Sequence, residues 1–333
     1  MQSHDIIIMG GGAAGLTAAA GMAQLGMKTA LIESEHMGGD CLYFGCVPSK
    51  TLLKSAKVQH LIETAQYYGL PKQTLKPGAA KDIMQHIQRV IADIAPHDSP
   101  ERFTKMGVDV ILQAGRFLSD TEIGLEDGTV LSAPKIIIAT GSSPRIPSIP
   151  GLDTVPYLTS REIFSLQEFP ESMITLGGGP IGVELSQALA RFGVKVTIID
   201  AAPHILPRED DDMAALIQEQ LELDGIEVIC GAEIVSVAGS ESTHKIVTYT
   251  REGQTHRVSA EELLIALGRT GNIESLNLEA AGITSRDGFI PVDAKLRTSR
   301  KNILAIGDVN GKFLFTHTAG AEGSFAVRSL ALH

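Results

Sequence analysis

DIIIMGGGAAGLTAAAGMAQLGMKTALIE (residues 5–33) and SMITLGGGPIGVELSQALARFGVKVTIID (residues 172–200) are two versions of one pattern. They align without a gap at a constant displacement of 167 residues, so Gly10, Gly12 and Gly15 fall on Gly177, Gly179 and Gly182, and Glu33 falls on Asp200. Each copy opens with a short apolar run that predicts a buried strand. A glycine turn, a helix of small residues, a glycine helix stop and a second strand ending in a carboxylate follow. The first glycine makes the tight turn, the second admits a pyrophosphate close to the backbone, and the third lets helix pack on strand. The phosphates then meet the N–H groups and partial positive charge of a helix N-terminus. Glu33 and Asp200 stand 23 residues beyond their first glycines, where a carboxylate accepts from an adenosine ribose hydroxyl. A lone glycine fingerprint is often only a turn, but here every flanking element recurs. The repeat therefore predicts two dinucleotide sites.

Composition agrees with that reading. At 333 residues the chain is long enough for two domains. Its 28 Lys+Arg against 39 Asp+Glu leave a net charge of −11, which argues against a nucleic-acid binder needing a basic footprint. The absence of Trp makes a base-stacking platform a poor reading, and no apolar run is long enough to span a membrane. The first apolar stretch lacks a basic flank and is broken by three glycines, so it does not read as a leader. Three cysteines are too few for a disulfide scaffold, and a reducing, cytoplasmic setting is expected.

Two of those cysteines lie in GGDCLYFGCVPSK (residues 38–50), as Cys41 and Cys46. A zinc reading needs a second ligand pair, which the sequence lacks, so no metal is expected. Residues five apart on a regular helix have Cα atoms roughly 8.7 Å apart, whereas a disulfide needs less than about 7 Å. A bridge thus requires a distorted first turn, with Gly45 supplying the looseness; otherwise the two are unpaired thiols. Cys230, in IEVICGAEIVSV, reads as a small core residue.

The cysteine segment, flanked by the two fingerprints, resembles the class I pyridine nucleotide–disulfide oxidoreductases. That resemblance continues through KIIIATGSSPRIP (Ala139, Thr140, Gly141), IALGRTGN (Gly268, Arg269) and NILAIGDVNG (Gly307, Asp308) and covers essentially the whole chain. The fold it implies is α/β, with two Rossmann-like dinucleotide-binding domains, the second inserted in the first. An FAD-binding domain over residues 1–150 and 270–333 would surround an NAD(P)-binding domain over residues 151–269. Within the first domain, a polar helical excursion (residues 51–106, interrupted by Pro71 and Pro77) precedes short strands with an Asp127-Gly128 turn, and Pro-rich residues 142–151 read as a linker.

The resemblance also implies the site. Gly10, Gly12, Gly15, Glu33, Gly39, Lys50, Ala139, Thr140, Gly141, Gly307 and Asp308 are expected at FAD, and Gly177, Gly179, Gly182, Asp200, Gly268 and Arg269 complete the cofactor-binding set. Hydride would pass from the nicotinamide to FAD and on to a Cys41–Cys46 disulfide. By the same resemblance Cys46 is the thiolate nearer the flavin and Cys41 the exposed thiol that meets a disulfide substrate. Lys50 and Glu184 are each costly to bury alone, and pairing them at the flavin solves both, as the family arrangement implies. Asp200, followed by Ala201, Ala202 and Pro203 with no Arg before Arg208, favours NAD(H) over NADP(H), because a carboxylate repels a 2′-phosphate. His317 reads as a packing or capping residue.

The family carries a further dimerisation domain with a His–Glu dyad, and no counterpart is found before the sequence ends at His333. The expectation is a homodimer for the full-length form and a monomer for this chain. FAD binding and electron uptake from NADH would then accompany slow disulfide turnover on a small-molecule or protein disulfide. A second class stays open: a flavin-dependent NADH:acceptor module working on quinone or oxygen, or a redox sensor, without a disulfide substrate.

Overall fold

The computed structural model describes residues 2–73, 76, 78–239 and 244–331; Pro77 and His333 lie outside them. The chain packs as two units, one from residues 1–46, 91–143 and 269–333, the other from residues 47–90 and 144–268. The continuous stretch 1–150 expected above is therefore interrupted, because residues 47–90 pack with the second unit. The change of unit at residues 143 and 144 falls inside the Pro-rich stretch read as a linker.

The first unit is built on a five-stranded parallel sheet in the order Ile303–Ala305, Lys135–Ile138, Ile6–Met9, Thr29–Glu33, Val108–Leu112. Parallel strands are covered on both faces and read as unbroken apolar runs. Accordingly Ile6 and Ile8 join one buried cluster with Leu31 and Met22, while Ile7 and Met9 join another with Phe117, Ile123 and Leu131. Burying each such side chain contributes on the order of 1.5–3 kcal/mol. The helix Ala13–Gln24 runs against the helix Thr316–Ala331. Glycines let the two come close: a Cβ on Gly21 would meet Val327, and one on Gly323 would lie 2.6 Å from the Ala14 carbonyl. A smaller sheet of Gln2–Ser3, Val130–Ser132, Glu122–Leu125 and Gly115–Phe117 packs beneath. The Asp127-Gly128 turn forms as expected. Gly128 is left-handed (φ 84°), and the Asp127 carboxylate accepts from the Thr129 N–H at 2.8 Å.

The second unit repeats the plan with four parallel strands, Glu227–Ile229, Lys195–Ile199, Ser172–Leu176 and Glu262–Ile265. Its strand register coincides with that of the first unit under the sequence displacement. Ile6 pairs with Thr29, and the equivalent Met173 pairs with Val196. An antiparallel sheet of Glu233–Gly239, Lys245–Arg251 and Gln254–Ala260 completes the unit, and Val237, Val247 and Tyr249 share one core with Ile174 and Leu176. No helix among the described residues is long and apolar enough to cross a membrane.

Candidate functional site

The two glycine turns solve one steric problem in the same way. Gly10 (φ 111°) and Gly177 (φ 110°) are left-handed, and a Cβ on either would sit 2.2–2.3 Å from a carbonyl oxygen, that of Ala139 or that of Ala266. A Cβ on Gly15 would come within 1.8 Å of the Gly10 carbonyl oxygen, and one on Gly182 within 2.0 Å of that of Gly177. The middle glycines differ in kind. Gly179 has nothing within 4 Å of that position, and Gly12 has only the Gly39 Cα at 3.9 Å. Both are extended N-caps of their helices, and neither supplies a side-chain cap. The first and third glycines therefore serve packing, while the second leaves open space over uncapped N–H groups, which suits a pyrophosphate. Ala139, expected at the cofactor, supplies the surface on which Gly10 closes. Its counterpart Ala266 escaped the sequence reading because the strands that carry these alanines lie outside the repeat.

Both acidic residues end their strands as expected. Glu33 Oε2 accepts from the Gly11 N–H at 2.6 Å, and Asp200 Oδ2 accepts from the Gly178 N–H at 2.5 Å. Each carboxylate also takes an N–H two residues downstream, that of Glu35 or Ala202, both at 2.7 Å. Every carboxylate oxygen has two acceptor positions, so room for a ribose hydroxyl remains. Cys230 follows the strand Glu227–Ile229 and is half-buried beside Asp200. The core position expected for it is thus corrected to the end of a strand, where burial first and the Asp200 charge second push its thiol up.

The cysteine segment is a broken helix. A five-residue helix, Gly39–Tyr43, ends at Phe44 (φ −133°, ψ −3°), and the helix Cys46–Glu63 begins two residues later. Gly45 is needed for space and not for looseness: a Cβ there would lie 3.0 Å from both the Asp40 carbonyl oxygen and the Cys41 Cα. Cys41 and Cys46 are thiols here, and a hydrogen bond joins them. That bond, followed by burial, pushes the Cys41 thiol well above the usual range, against a lowering contribution from the Thr316 hydroxyl. Thr316 Oγ1 lies 3.3 Å from Cys46 Sγ, so one hydroxyl serves both sulphurs. The two thiols differ in exposure. Cys41 is half-buried in the short helix, whereas Cys46 is exposed at the head of the next one. Sequence reading missed Thr316, whose only signal was its place at the start of the returning helix. His317 is exposed and stacks on Phe315 with ring centroids 5.4 Å apart.

Lys50 and Glu184 do meet. Lys50 Nζ contacts Glu184 Oε1 at 2.7 Å and Oε2 at 2.6 Å. The side chains are 58% and 33% exposed. An exposed pair of this kind contributes only about 0–1 kcal/mol of stability.

The remaining motifs converge on Arg269. Its Nη2 donates to Asp40 Oδ2 at 2.8 Å and to the Ser142 carbonyl at 2.7 Å, and its Nε donates to Ser142 Oγ at 2.7 Å. Ser142 Oγ in turn donates to Asp308 Oδ2 at 2.7 Å. Burial pushes the Asp308 carboxyl up, with Ser142 and Arg269 pulling the other way. Thr140 and Gly141 are fastened to Asn272: Thr140 Oγ1 donates to the Asn272 carbonyl, Asn272 Nδ2 donates back to the Thr140 carbonyl, and the Gly141 carbonyl accepts the Asn272 N–H. Gly307 is left-handed (φ 72°), and its N–H donates to Glu322 at 2.6 Å. Gly268 is left-handed (φ 95°), and its carbonyl accepts from the Arg145 N–H at 3.0 Å, within the second unit.

The residues of the first unit fit FAD. Gly12 leaves a cradle at a helix N-terminus, Gly39 adjoins it, and Glu33 and Asp308 hold carboxylates toward the same end of the sheet. Asp40 Oδ1 is buried with no hydrogen-bond partner among the described residues, as expected of a group that meets a polar ligand.

Comparison with known proteins agrees with the geometry. A family profile described as pyridine nucleotide-disulphide oxidoreductase matches residues 4–323. The dihydrolipoyl dehydrogenase of Bacillus subtilis (strain 168) is 37% identical over 344 residues, covering 98% of this chain and 72% of that enzyme. The dihydrolipoyl dehydrogenase of Acholeplasma laidlawii is 36% identical over 344 residues, covering 99% and 96%. Among solved structures, the Cu(II) complex of the HOCl-induced flavoprotein disulfide reductase RclA from Escherichia coli superposes with a TM-score of 0.86 at 31% identity, covering 99% of this chain and 71% of that one. A repeated dinucleotide fold, a cysteine couple on a broken helix and these matches together make the chain an FAD-dependent disulfide oxidoreductase, a member of the pyridine nucleotide-disulphide oxidoreductase family.

Proposed function

We propose that the chain exchanges electrons between NAD(H) and a disulfide of the dihydrolipoyl type through Cys41 and Cys46. The first unit would hold FAD and the second the nicotinamide nucleotide. The observation that carries this reading is the hydrogen-bonded thiol pair sharing the Thr316 hydroxyl. Bound FAD supplies the two-electron step between nicotinamide and sulphur; the protein's own groups do the rest. Cys41 holds its proton more tightly than an ordinary thiol, and the Thr316 hydroxyl lies 3.3 Å from the exposed Cys46 sulphur. In exchange, Cys41 loses its proton and attacks one substrate sulphur, giving a mixed disulfide and releasing the other substrate sulphur as a thiolate. Cys46 then displaces the remaining substrate sulphur and closes the Cys41–Cys46 bond. Because the Cys41 proton is held tightly, this exchange should accelerate as pH rises.

Asp200 supports NAD(H). Its carboxylate stands at the end of the strand Lys195–Ile199 and is held by two backbone N–H groups. A 2′-phosphate would meet that charge.

The test is a panel of acceptors (lipoamide, glutathione disulfide, Hg(II), quinone, dioxygen) assayed with NADH and NADPH on the FAD-loaded chain. Lipoamide should give the highest kcat/KM, with NADH preferred, and Cys41→Ser should abolish turnover on it. NADH oxidation with quinone or dioxygen alone, unaffected by Cys41→Ser, would contradict the reading.

A further inference from the structure

The helix that carries Cys41 cannot set its own shape. It has five residues, is entered through two left-handed glycines, Gly38 (φ 104°) and Gly39 (φ 59°), and is left at a non-helical Phe44. One helical turn is unfavourable by itself, so contacts from elsewhere must fix it. Leu42, 2% exposed, gives a non-directional anchor. The directional one is at Asp40, the residue before Cys41, whose Oδ2 accepts from Arg269 Nη2 at 2.8 Å.

Arg269 is itself immobilised. Its side chain is 10% exposed, and it grips buried Ser142 through both Oγ and the carbonyl oxygen. The planar fork holds Ser142 and Asp40 together, a task that the single point charge of a Lys does not perform. Among the described residues the Oδ1 of Asp40 has no partner, so Arg269 is its side-chain anchor within the protein. Asp308 lies 3.8 Å from the same guanidinium, so one cation compensates two carboxylates.

We infer that Arg269 and Asp40 are positioning residues for the redox couple: through Asp40, Arg269 fixes the short helix and thereby the distance between the Cys41 and Cys46 sulphurs. This rests on the reading of Cys41 and Cys46 as the couple. The pairing joins residues 229 apart in sequence, outside the glycine fingerprints, and touches neither sulphur.

The test equilibrates the FAD-loaded chain with dithiothreitol buffers of graded oxidation. Oxidised dithiothreitol takes two electrons and two protons from the Cys41 and Cys46 thiols, forming their S–S bond and reduced dithiothreitol. Alkylation and mass analysis then read the fraction bridged. Arg269→Lys and Asp40→Asn should each lower the equilibrium constant for the bridge at least about tenfold, since a small misplacement of reacting atoms costs this much. The double variant should lose no more than either single one, the mark of a coupled pair. Asp40→Asn preserves side-chain size and covers the case in which Arg269→Lys does not fold. Folded variants with an unchanged constant, even if their melting points fall, would show a structural role only and overturn the inference. Additive losses would overturn it as well. If the unsubstituted chain forms no bridge at all, the couple itself is refuted, an outcome distinct from unchanged variants.

Discussion

At the scale of the residue, chemistry is concentrated in a few donors. The Thr316 hydroxyl reaches both sulphurs, and a hydrogen bond to a charged group is worth roughly 1.5–3 kcal/mol. Thr316→Val should therefore slow iodoacetamide alkylation of Cys46 at neutral pH by about tenfold, and Thr316→Ser should restore it. Asp308 is a contrasting case. Its carboxyl is pushed up by burial, so its ionised form is disfavoured in the folded protein. The folded state then loses stability as pH rises from the unfolded value of 3.8 toward the higher folded one. Asp308→Asn should leave the FAD-free protein at least as stable as the parent at pH 7, with the difference vanishing below the unfolded value, while weakening FAD binding. Thermal melts across pH and a flavin titration check the two halves. A melting point at pH 7 clearly below the parent's would refute this account of Asp308.

At the scale of the element, the glycine turns separate packing from ligand approach. Gly15→Ala and Gly182→Ala place a Cβ 1.8–2.0 Å from a carbonyl oxygen and should destabilise their own units by several kcal/mol. Gly12→Ala and Gly179→Ala meet almost nothing. They should change the melting point of the nucleotide-free protein by less than about 1 kcal/mol in stability, yet selectively impair FAD binding in the first case and NADH binding in the second. Isothermal titration with each nucleotide decides this. These turns were legible in sequence because all their determinants lie within one local pattern. The opposed residues Ala139 and Ala266 were not equivalent by eye, since each arrives on a distant strand. The Lys50–Glu184 contact was legible as a charge problem, but its exposure was not. Nothing local marks Asp40 as the partner of Arg269.

At the scale of the whole molecule, two units with one plan should respond to two ligands separately. Anything that binds the folded state alone stabilises it, by about 2.7 kcal/mol at a hundred times Kd. Scanning calorimetry should show FAD raising the transition of the unit from residues 1–46, 91–143 and 269–333 and NADH raising that of the other. A single transition moved equally by either ligand would refute this independence. The interleaved segments were not legible in the repeat, which shows two like motifs but not which unit the helices between them join. They also set a timetable for synthesis. When residue 268 has been made, the unit that contains the strand Ile6–Met9 still lacks its edge strand Ile303–Ala305 and the helix Thr316–Ala331, whereas the other has all its segments. Domains generally fold in order of emergence; here the second begun is the first finished. The nascent cysteine couple therefore waits, without its Arg269 and Thr316 contacts, until residues 269–316 have been made.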